Sequence, residues 1–269
     1  MTKKIMIDPG HGGHDPGATA NGLKEKDLVL TIAKKTKVIL EKVYGASVKL
    51  TRSTDVYIDP SQRARLANNW GAEYFVSIHI NAAGGTGFET FRFDKLSAAS
   101  STGKQQKIVH DAIYRKIKGK VGDRGTKSKD LAVLRETNMP AILTENLFID
   151  RKEDAALLRQ DSFLNLLAEG HADGIAAAVG LKKVSSSTKT KPKKETAPKG
   201  VKMAVVKPNA DGWLWVYDKS SWSAKHKKVK SGEAFTIDKT VNVNGSKMYK
   251  LKSGLYITAA TKYVQVKQK

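Results

Sequence analysis

KKIMIDPGHGGHDPG, residues 3–17, joins an apolar strand candidate to a loop that is rich in glycine and histidine. The loop alone, residues 8–17, contains four glycines and two histidines. Glycine-rich loops after a strand often bind phosphate, but this one lacks the Lys-Ser/Thr pair of a P-loop and the spacing of a dinucleotide-binding loop. The two histidines therefore favour a different chemistry at the end of the first strand.

Strand and helix patterns alternate from this first strand to about residue 181. In DPSQRARLANNWG (59–71), Asp59 is a suitable N-cap, Pro60 fits the first helical position and Gly71 suits the helix end. Such alternation predicts a three-layer α/β fold, a twisted sheet flanked by helices. The predicted strands are 3–8, 47–51, 73–81 at the sheet centre, 88–94 nearer an edge, 131–136 and 141–148, and the predicted helices are 28–43, 60–70, 103–119 and 163–179, the last preceded by a shorter one.

The 269-residue chain carries a formal net charge of +22 and contains no cysteine. Disulfides are therefore excluded, and a metal would have to be bound by histidine and carboxylate. The positive charge predicts a polyanionic partner, either nucleic acid, an acidic membrane or an acidic wall polymer. No apolar run is long enough for a membrane span. The apolar run near the N-terminus is also too short for the core of a signal peptide.

The charge is unevenly distributed and divides the chain into three regions. The net charge is +6 over residues 1–181, +6 over 182–199 and +10 over 200–269, a region without arginine. Residues 182–199, rich in Lys, Ser, Thr and Pro, are typical of an extended linker because they cannot bury enough apolar surface to fold; a nucleic-acid-binding arm is the alternative. Residues 200–269 show five or six short strand patterns separated by turns, which predict a small β-barrel.

Three residues at or near strand ends form a candidate metal site. His79 lies near the end of strand 73–81, where the cleft of an α/β sheet normally opens; alone, it would be interpreted as a core histidine. His11 follows the first strand, and Glu25 precedes the first long helix, so both can reach the same edge. Two imidazoles and one carboxylate are the ligands of a catalytic zinc site with one open position, and nitrogen ligands favour zinc over magnesium or calcium.

Glu145 stands alone inside the apolar strand pattern AILTENLFID. A buried carboxylate without a partner is costly, so we expect Glu145 either to face a cleft or to be paired. Beside an activated water it could act as general base and then as general acid. A structural salt bridge, for example to an arginine, is an equally acceptable interpretation from the sequence.

The remaining histidines are weaker candidates. His14 could replace His11 as a ligand, although an exposed loop position is favoured. His110 and His171 fall on predicted helices at mainly polar positions, and His226 lies among lysines, so we expect all three to be solvated.

These motifs, taken in order, resemble the amidase-3 type of zinc N-acetylmuramoyl-L-alanine amidases over about residues 1–180. The resemblance implies a six-stranded sheet flanked by helices, one zinc ion on His11, Glu25 and His79, and catalysis by Glu145. The sequence departs from the family at Asn146 and Leu147, where a small residue and glycine are usual. The stretches that carry the resemblance are DPGHGGHDPGA, TRSTD (51–55), FVSIHINA (75–82), LAVLRETNMPAILTE (131–145) and FID.

The C-terminal region, about residues 201–267, resembles the wall-binding domains of Bacillus phage endolysins, which are Src-homology-like β-barrels. Trp213, Trp215 and Trp222 could stack on sugars or peptides, although a place in the barrel core is favoured for Trp213 and Trp215. Together the resemblances imply domains at 1–181 and 200–269, joined by the linker 182–199.

The implied function is hydrolysis of the amide between N-acetylmuramic acid and L-alanine in peptidoglycan, with zinc-activated water and Glu145 as base and acid. The lack of a recognisable signal peptide, together with a C-terminal wall-binding region, favours a phage lysis enzyme. Such an enzyme would be made in the host cytoplasm and released through the membrane to reach the wall. The expected partner is peptidoglycan, with anionic wall polymers as a second candidate and without nucleic acid or membrane binding. The alternatives are a host autolysin, a zinc peptidase of the stem peptide, and a non-catalytic wall-binding protein. A nucleic-acid-binding protein is less favoured because the basic C-terminal region lacks arginine.

Overall fold

The computed structural model describes residues 2–184, 202–209, 211–218, 221–222, 225–243 and 246–268. The chain divides into two compact units, Met1–Lys189 and Thr190–Lys269. Most of the predicted linker 182–199 lies outside the described residues, so the linker and the domain boundaries stay predictions. Within the described residues, no helix combines the length and the apolar character that crossing a bilayer requires.

The first unit alternates strands and helices along most of its length. Its elements are β1 (Lys4–Pro9), β2 (Thr19–Ala20), β3 (Leu23–Lys24), α1 (Glu25–Tyr44), β4 (Ser47–Leu50), α2 (Pro60–Trp70), β5 (Tyr74–Asn81), β6 (Phe88–Arg92), α3 (Ser101–Ile117), β7 (Asp123–Ser128), α4 (Ala132–Arg135), β8 (Ala141–Phe148), α5 (Lys152–Leu158) and α6 (Asp161–Ala178).

Six of these strands form one sheet in the order β4-β1-β5-β8-β6-β7. All neighbours are parallel except β6 and β8, which are antiparallel. Both faces of the sheet are covered, because alternate strand residues belong to different apolar clusters. Ile5 and Ile7 pack on the side of α1, α3 and α6, whereas Met6 packs with Phe75 on the side of α2 and α4. The predicted three-layer α/β fold with six strands is confirmed.

Helix α2 begins and ends at the residues that the sequence indicates. The Asp59 side chain accepts hydrogen bonds from the backbone N–H groups of Ser61 and Gln62, with Pro60 at the first helical position. Gly71 ends the helix in the left-handed conformation with φ 66°. This defined start places Arg63, one turn into α2, under the loop that follows β1.

Two local predictions in the first unit were wrong. The predicted strand 131–136 contains the short helix α4 instead, and the adjacent residues Val133 and Leu134 are both buried. A helical turn can bury two consecutive side chains against the same helix neighbour, whereas a strand would point them to opposite faces. Strand β7 was not predicted because its sequence DRGTKS is polar, as is common for an edge strand.

The second unit is all-β, and its elements are β9 (Lys202–Val206), β10 (Trp213–Tyr217), β11 (Lys225–Lys230), β12 (Ala234–Val243), β13 (Ser246–Leu251), β14 (Tyr256–Thr258) and β15 (Val264–Gln268). The order is β11-β10-β14-β13-β12-β9-β15. The long strand β12 pairs with β9 through its first residues and with β13 through the rest, so it belongs to two sheets. The small all-β fold is confirmed, with seven strands where five or six were predicted.

The apolar core of the second unit includes Val216, Val229 and Ile257. Trp213 and Trp215 are half-buried and lie outside this cluster. The prediction that these two tryptophans form the core was therefore wrong. The residues between and beside them, Leu214 and Val216, face the core instead.

A buried ion pair lies beneath the loop that follows β1. The Asp8 carboxylate accepts hydrogen bonds from Thr51 Oγ1 (2.5 Å), Ser77 Oγ (2.7 Å) and Arg63 Nη1 (2.8 Å). Burial alone would raise the pKa of Asp8, but the charge of Arg63 and these hydrogen bonds outweigh it and lower the pKa below its ordinary value. Asp8 is therefore ionised and links β1 to β5, to α2 and to the residue that follows β4, near the end of the central strands.

Two arginines hold the backbone of the same loop. Arg63 donates to the carbonyl oxygens of Pro9 and His11, both at 2.7 Å. Arg52 donates to Pro9 at 2.9 Å and to Gly10 at 2.7 Å. Three consecutive carbonyl groups are thus fixed by buried guanidinium groups, which determine the path of the chain at His11.

We expect Asp8→Asn to destabilise the protein by about 3 to 5 kcal/mol, because Arg63 would keep its buried charge without a counter-charge. Urea unfolding at neutral pH measures the loss, and Asp94→Asn, at an exposed position, is the matched control with an expected change within about 0.5 kcal/mol. Since the folded-state pKa of Asp8 is lowered, its contribution is complete above the ordinary carboxyl pKa and is lost as the pH falls through the folded-state value. The difference between the wild type and Asp8→Asn should therefore shrink in acid; equal stability of the two at neutral pH would contradict the role given to the pair.

Candidate metal centre

The structure brings His11, Glu25 and His79 together at the carboxyl edge of the sheet. One ligand atom from each of the three lies within 4.8 Å of the others. Glu25 Oε1 is 3.1 Å from His11 Nε2 and 3.0 Å from His79 Nδ1, and the two imidazole rings are 4.9 Å apart at their centroids. The three side chains come from the loop after β1, the first turn of α1 and the end of β5. This group is positioned to bind a metal ion.

Glycines in the loop allow the three ligands to approach one another. A Cβ atom on Gly10 would lie 2.3 Å from the His79 ring, and one on Gly17 would lie 2.6 Å from Glu25 Oε2 and 2.7 Å from the His11 ring. His11 itself has φ 59°, a left-handed conformation that is uncommon outside glycine. Histidine and glycine therefore occur together in this loop because the ligand side chains occupy the space that larger residues at the glycine positions would need.

Two of the three ligands, His11 and Glu25, are oriented by further hydrogen bonds. Asp15 Oδ2 is 2.8 Å from His11 Nδ1, which leaves Nε2 facing the ligand group. The backbone N–H groups of Ala18 and Ile80 donate to the two oxygens of Glu25, each at 2.9 Å. Burial alone would raise the pKa of Glu25, but its hydrogen bonds with the two histidines outweigh burial and lower it, so the carboxylate is ionised.

Glu145 lies on β8 beside the ligand group. It is in register with His79 on β5 and with Glu89 on β6. Its Oε2 is buried and has no hydrogen-bond partner among the described residues, so no arginine meets this oxygen as the salt-bridge interpretation requires. Burial raises the pKa of Glu145 to about 7, and the nearby carboxylates of Glu25 and Glu89 add to this effect while His79 opposes it.

Glu89 is a second carboxylate at this position, and sequence analysis did not identify it. Its Oε1 accepts a hydrogen bond from Asn81 Nδ2 at 2.8 Å, and its Oε2 accepts one from Arg124 Nε at 2.7 Å and pairs with Lys127. Burial would raise the pKa of Glu89, but the two cations lower it. Glu89 is thus ionised with partners at both oxygens, whereas Oε2 of its neighbour Glu145 has no hydrogen-bond partner among the described residues.

The family departure at Asn146 and Leu147 has a structural explanation. Leu147 is fully buried and has φ 72°, a conformation in which glycine would be unstrained. Asn146 Nδ2 donates to the His79 carbonyl at 2.9 Å and to Thr144 Oγ1 at 3.0 Å. The asparagine therefore ties β8 to the strand that carries His79, and the core contacts of Leu147 offset the backbone strain.

A cleft of about 230 Å³ opens beside His11 and His79. Its polar lining includes His11 and His79 of the ligand group, and most of the other lining side chains are apolar. Its apolar lining consists of Tyr57, Ile58, Pro60, Leu131, Ala132, Val133 and Leu143.

The predicted solvation of two histidines was wrong. His110 and His171 are buried. His171 Nε2 lies 3.0 Å from Thr144 Oγ1, and burial lowers the pKa of His171 to about 4, so the ring is neutral. Gly170, next to His171, allows α3 to pack closely on α6, because a Cβ atom added at this position would lie 2.7 Å from a backbone atom of α3. Positions that are polar in sequence are therefore buried between the helices and the sheet.

His14 and His226 are exposed, as predicted. The His14 ring lies 4.2 Å from the Tyr57 ring and is not a member of the ligand group.

Comparisons with known proteins agree with the fold. Residues 5–177 match the family described as N-acetylmuramoyl-L-alanine amidase, and residues 195–264 match a family described as a domain of unknown function. The chain is 62% identical to the endolysin of Bacillus phage SPP1 over 274 residues, covering 100% of both chains. It is 49% identical over 185 residues to a sporulation-specific N-acetylmuramoyl-L-alanine amidase of Bacillus subtilis, covering 68% of this chain and 71% of the relative.

Solved structures of similar fold include an N-acetylmuramoyl-L-alanine amidase from Clostridium difficile 630. It has a TM-score of 0.63 and 37% identity, and the match covers 66% of this chain and 97% of that one. The resemblance stated from the sequence motifs is confirmed: this chain belongs to the N-acetylmuramoyl-L-alanine amidase family.

Proposed function

We propose that the protein is a zinc-dependent lysis enzyme of a Bacillus phage, which hydrolyses the amide between N-acetylmuramic acid and L-alanine in peptidoglycan. The observation that carries this proposal is the pairing of the His11, Glu25 and His79 group with a buried, unpartnered carboxyl oxygen of Glu145 on the adjacent strand. Family membership supports the amidase reaction, and the relative that matches over the whole chain is an endolysin.

The ligand group fits one zinc ion. Two imidazole nitrogens and one carboxylate oxygen are a donor set of catalytic zinc sites, and it leaves a position open. The glycines that line the group keep its centre free of side chains, because a Cβ on Gly10 or Gly17 would collide with the ligands. A bound zinc ion would lower the pKa of the attacking water and polarise the scissile carbonyl.

Glu145 is the group that moves the proton in this proposal. With its pKa raised to about 7, it can accept a proton from the attacking water and return it to the nitrogen of the leaving L-alanine at neutral pH. Glu89 is held ionised by Arg124 and Lys127, so it keeps a negative charge beside Glu145 without competing for this proton. The apolar lining of the cleft suits the methyl groups of the lactyl and alanyl units on either side of the scissile bond.

The second unit serves wall binding in this proposal. Residues 200–269 carry a net charge of +10, which suits attraction to anionic polymers of the wall. The endolysin relative includes this region, whereas the Bacillus subtilis amidase matches 68% of the chain. The full-length match favours a phage enzyme, released through the host membrane to reach the wall, over a host autolysin.

Removal of the metal should abolish wall lysis, and addition of Zn²⁺ should restore it, because in this proposal Glu145 can take the proton of the attacking water only when the bound ion lowers the pKa of that water. His11→Ala and His79→Ala should each purify with less than the one zinc per chain expected of the wild type, as measured by elemental analysis. His14→Ala is the matched control in the same loop and should keep its zinc. Full lysis by metal-free protein would refute the zinc proposal.

Glu145→Gln should reduce turnover by roughly 10²–10⁴-fold, because the amide keeps the shape of the side chain but cannot accept the proton. Zinc content should remain near that of the wild type, and Glu153→Gln, at an exposed position, should leave turnover unchanged. Loss of zinc from Glu145→Gln would instead identify Glu145 as a ligand.

Digestion of purified walls should release fragments with new L-alanine amino termini. Mass spectrometry with amino-terminal labelling tests this directly, because cleavage within the stem peptide would expose other residues. New amino termini at another amino acid would contradict the amidase reaction and would identify the enzyme as a stem-peptide peptidase.

A further inference from the structure

Three aromatic side chains alternate along β10. Trp213, Trp215 and Tyr217 are half-buried, while Leu214 and Val216 between them pack in the core of the second unit. Because successive residues of a strand point to opposite faces of the sheet, the three aromatics lie on the face that points away from this core. We refer to Trp213, Trp215 and Tyr217 as the aromatic row.

Edge-to-face contacts hold the rings of the aromatic row in place. The Trp213 and Trp215 centroids are 5.6 Å apart with an interplanar angle of 85°, and Tyr217 meets Trp222 at 5.6 Å and 86°. Trp222 is in turn anchored by its Nε1–H, which donates to the carbonyl of Val243 at 3.3 Å. The row is therefore a preformed apolar surface, and a ligand that binds there need not order it.

Lysines lie beside the aromatic row on the edge strand β11. In the antiparallel register, Trp213 is opposite Lys230 and Trp215 is opposite Lys228, and both lysines are exposed. Lys228 Nζ stands 3.7 Å from the centroid of Trp213. Cross-strand partners share a face of the sheet, so this face presents aromatic rings together with ammonium groups, one of which lies over the Trp213 ring.

We propose that the outer face of β10 and β11 binds an anionic glycan of the cell wall. Sugar rings pack on Trp213 and Trp215, and acidic groups of the same polymer pair with Lys228 and Lys230. The inference rests on the proposed function, since the wall that supplies the ligand is the substrate of the catalytic unit. It also assigns a binding face to the region that matches a domain of unknown function.

The ring geometry favours a glycan over single-stranded nucleic acid. Consecutive stacked bases are parallel, but the planes of Trp213 and Trp215 are nearly perpendicular. A glycan whose successive sugars turn relative to one another can use both rings. The charge on the face comes from lysine, and residues 200–269 contain none of the arginine forks that bind phosphate in two places.

The test is sedimentation of the full-length protein with walls purified from Bacillus subtilis, in a Glu145→Gln background so that the walls stay intact. Trp213→Ala with Trp215→Ala should weaken binding by about tenfold or more, as expected for the loss of aromatic stacking on two rings. Lys228→Gln with Lys230→Gln should weaken binding severalfold at low salt and flatten its salt dependence. Lys239→Gln with Lys247→Gln removes the same charge from exposed positions on β12 and β13 and should bind like the unsubstituted protein.

Equal weakening by both lysine pairs would overturn the proposal, because binding would then depend on total charge. Unchanged binding by the folded tryptophan variant would also overturn it, as would binding to a single-stranded oligonucleotide in preference to walls. The lysine pair keeps the test decisive if the tryptophan variant does not fold. Walls extracted with acid to remove phosphate-bearing polymers distinguish the source, since retained binding identifies peptidoglycan itself and lost binding identifies the extracted polymer.

The same substitutions with Glu145 intact separate this inference from the proposed function. On a small soluble muramyl peptide, both lysine-pair variants should hydrolyse the amide as the wild type does. Failure of the wild type in this assay, with wall binding still dependent on the aromatic row, would refute the enzyme proposal and leave the binding face standing.

Discussion

The buried pair of Asp8 and Arg63 is the interaction on which the metal centre depends. It places a guanidinium group beneath the loop after β1, and that group then fixes the carbonyls of Pro9 and His11. Arg52 completes the arrangement at Gly10. An isolated buried charge would be too costly, so both arginines require the carboxylate and the carbonyl dipoles that surround them. The left-handed conformation of His11 can persist because its backbone is constrained by these contacts on one side and by glycine on the other.

The site then separates its carboxylates by environment. Glu25 accepts hydrogen bonds from two histidines and two backbone N–H groups, and Glu89 is paired with two cations. These partners lower the pKa of both carboxyl groups, so both are ionised. Glu145 has a buried Oε2 without a hydrogen-bond partner among the described residues, and its pKa rises to about 7. Three acidic residues within one sheet edge therefore differ in role because of their partners: one suits metal binding, one suits proton transfer, and one supplies a fixed charge.

Strand-end reasoning from the sequence correctly placed His11, Glu25 and His79 at one edge, since parallel strands bring their carboxyl ends together. Arg52, Arg63 and Glu89 were missed because their partners lie far away in sequence, and only the packed structure shows that these charges are buried. The same limit explains the errors at His110 and His171, whose polar neighbours in sequence suggested solvent. It also explains the helix at residues 132–135, where an apolar run fits either kind of element.

In the proposals made above the two units bind by different physical means, and the difference suits an insoluble substrate. The candidate metal centre is partly buried and its side chains are linked by hydrogen bonds, so in the proposed function it acts on one kind of bond and tolerates little change in geometry. The face of β10 and β11 is exposed and carries lysines, so its binding is salt-sensitive and independent of any single bond. On the proposed function, attachment through this face raises the concentration of the catalytic unit near many equivalent amides. Weak contacts of this kind release readily, which lets the enzyme reach the next bond after each cleavage, whereas very tight wall binding would hold it at bonds already cut.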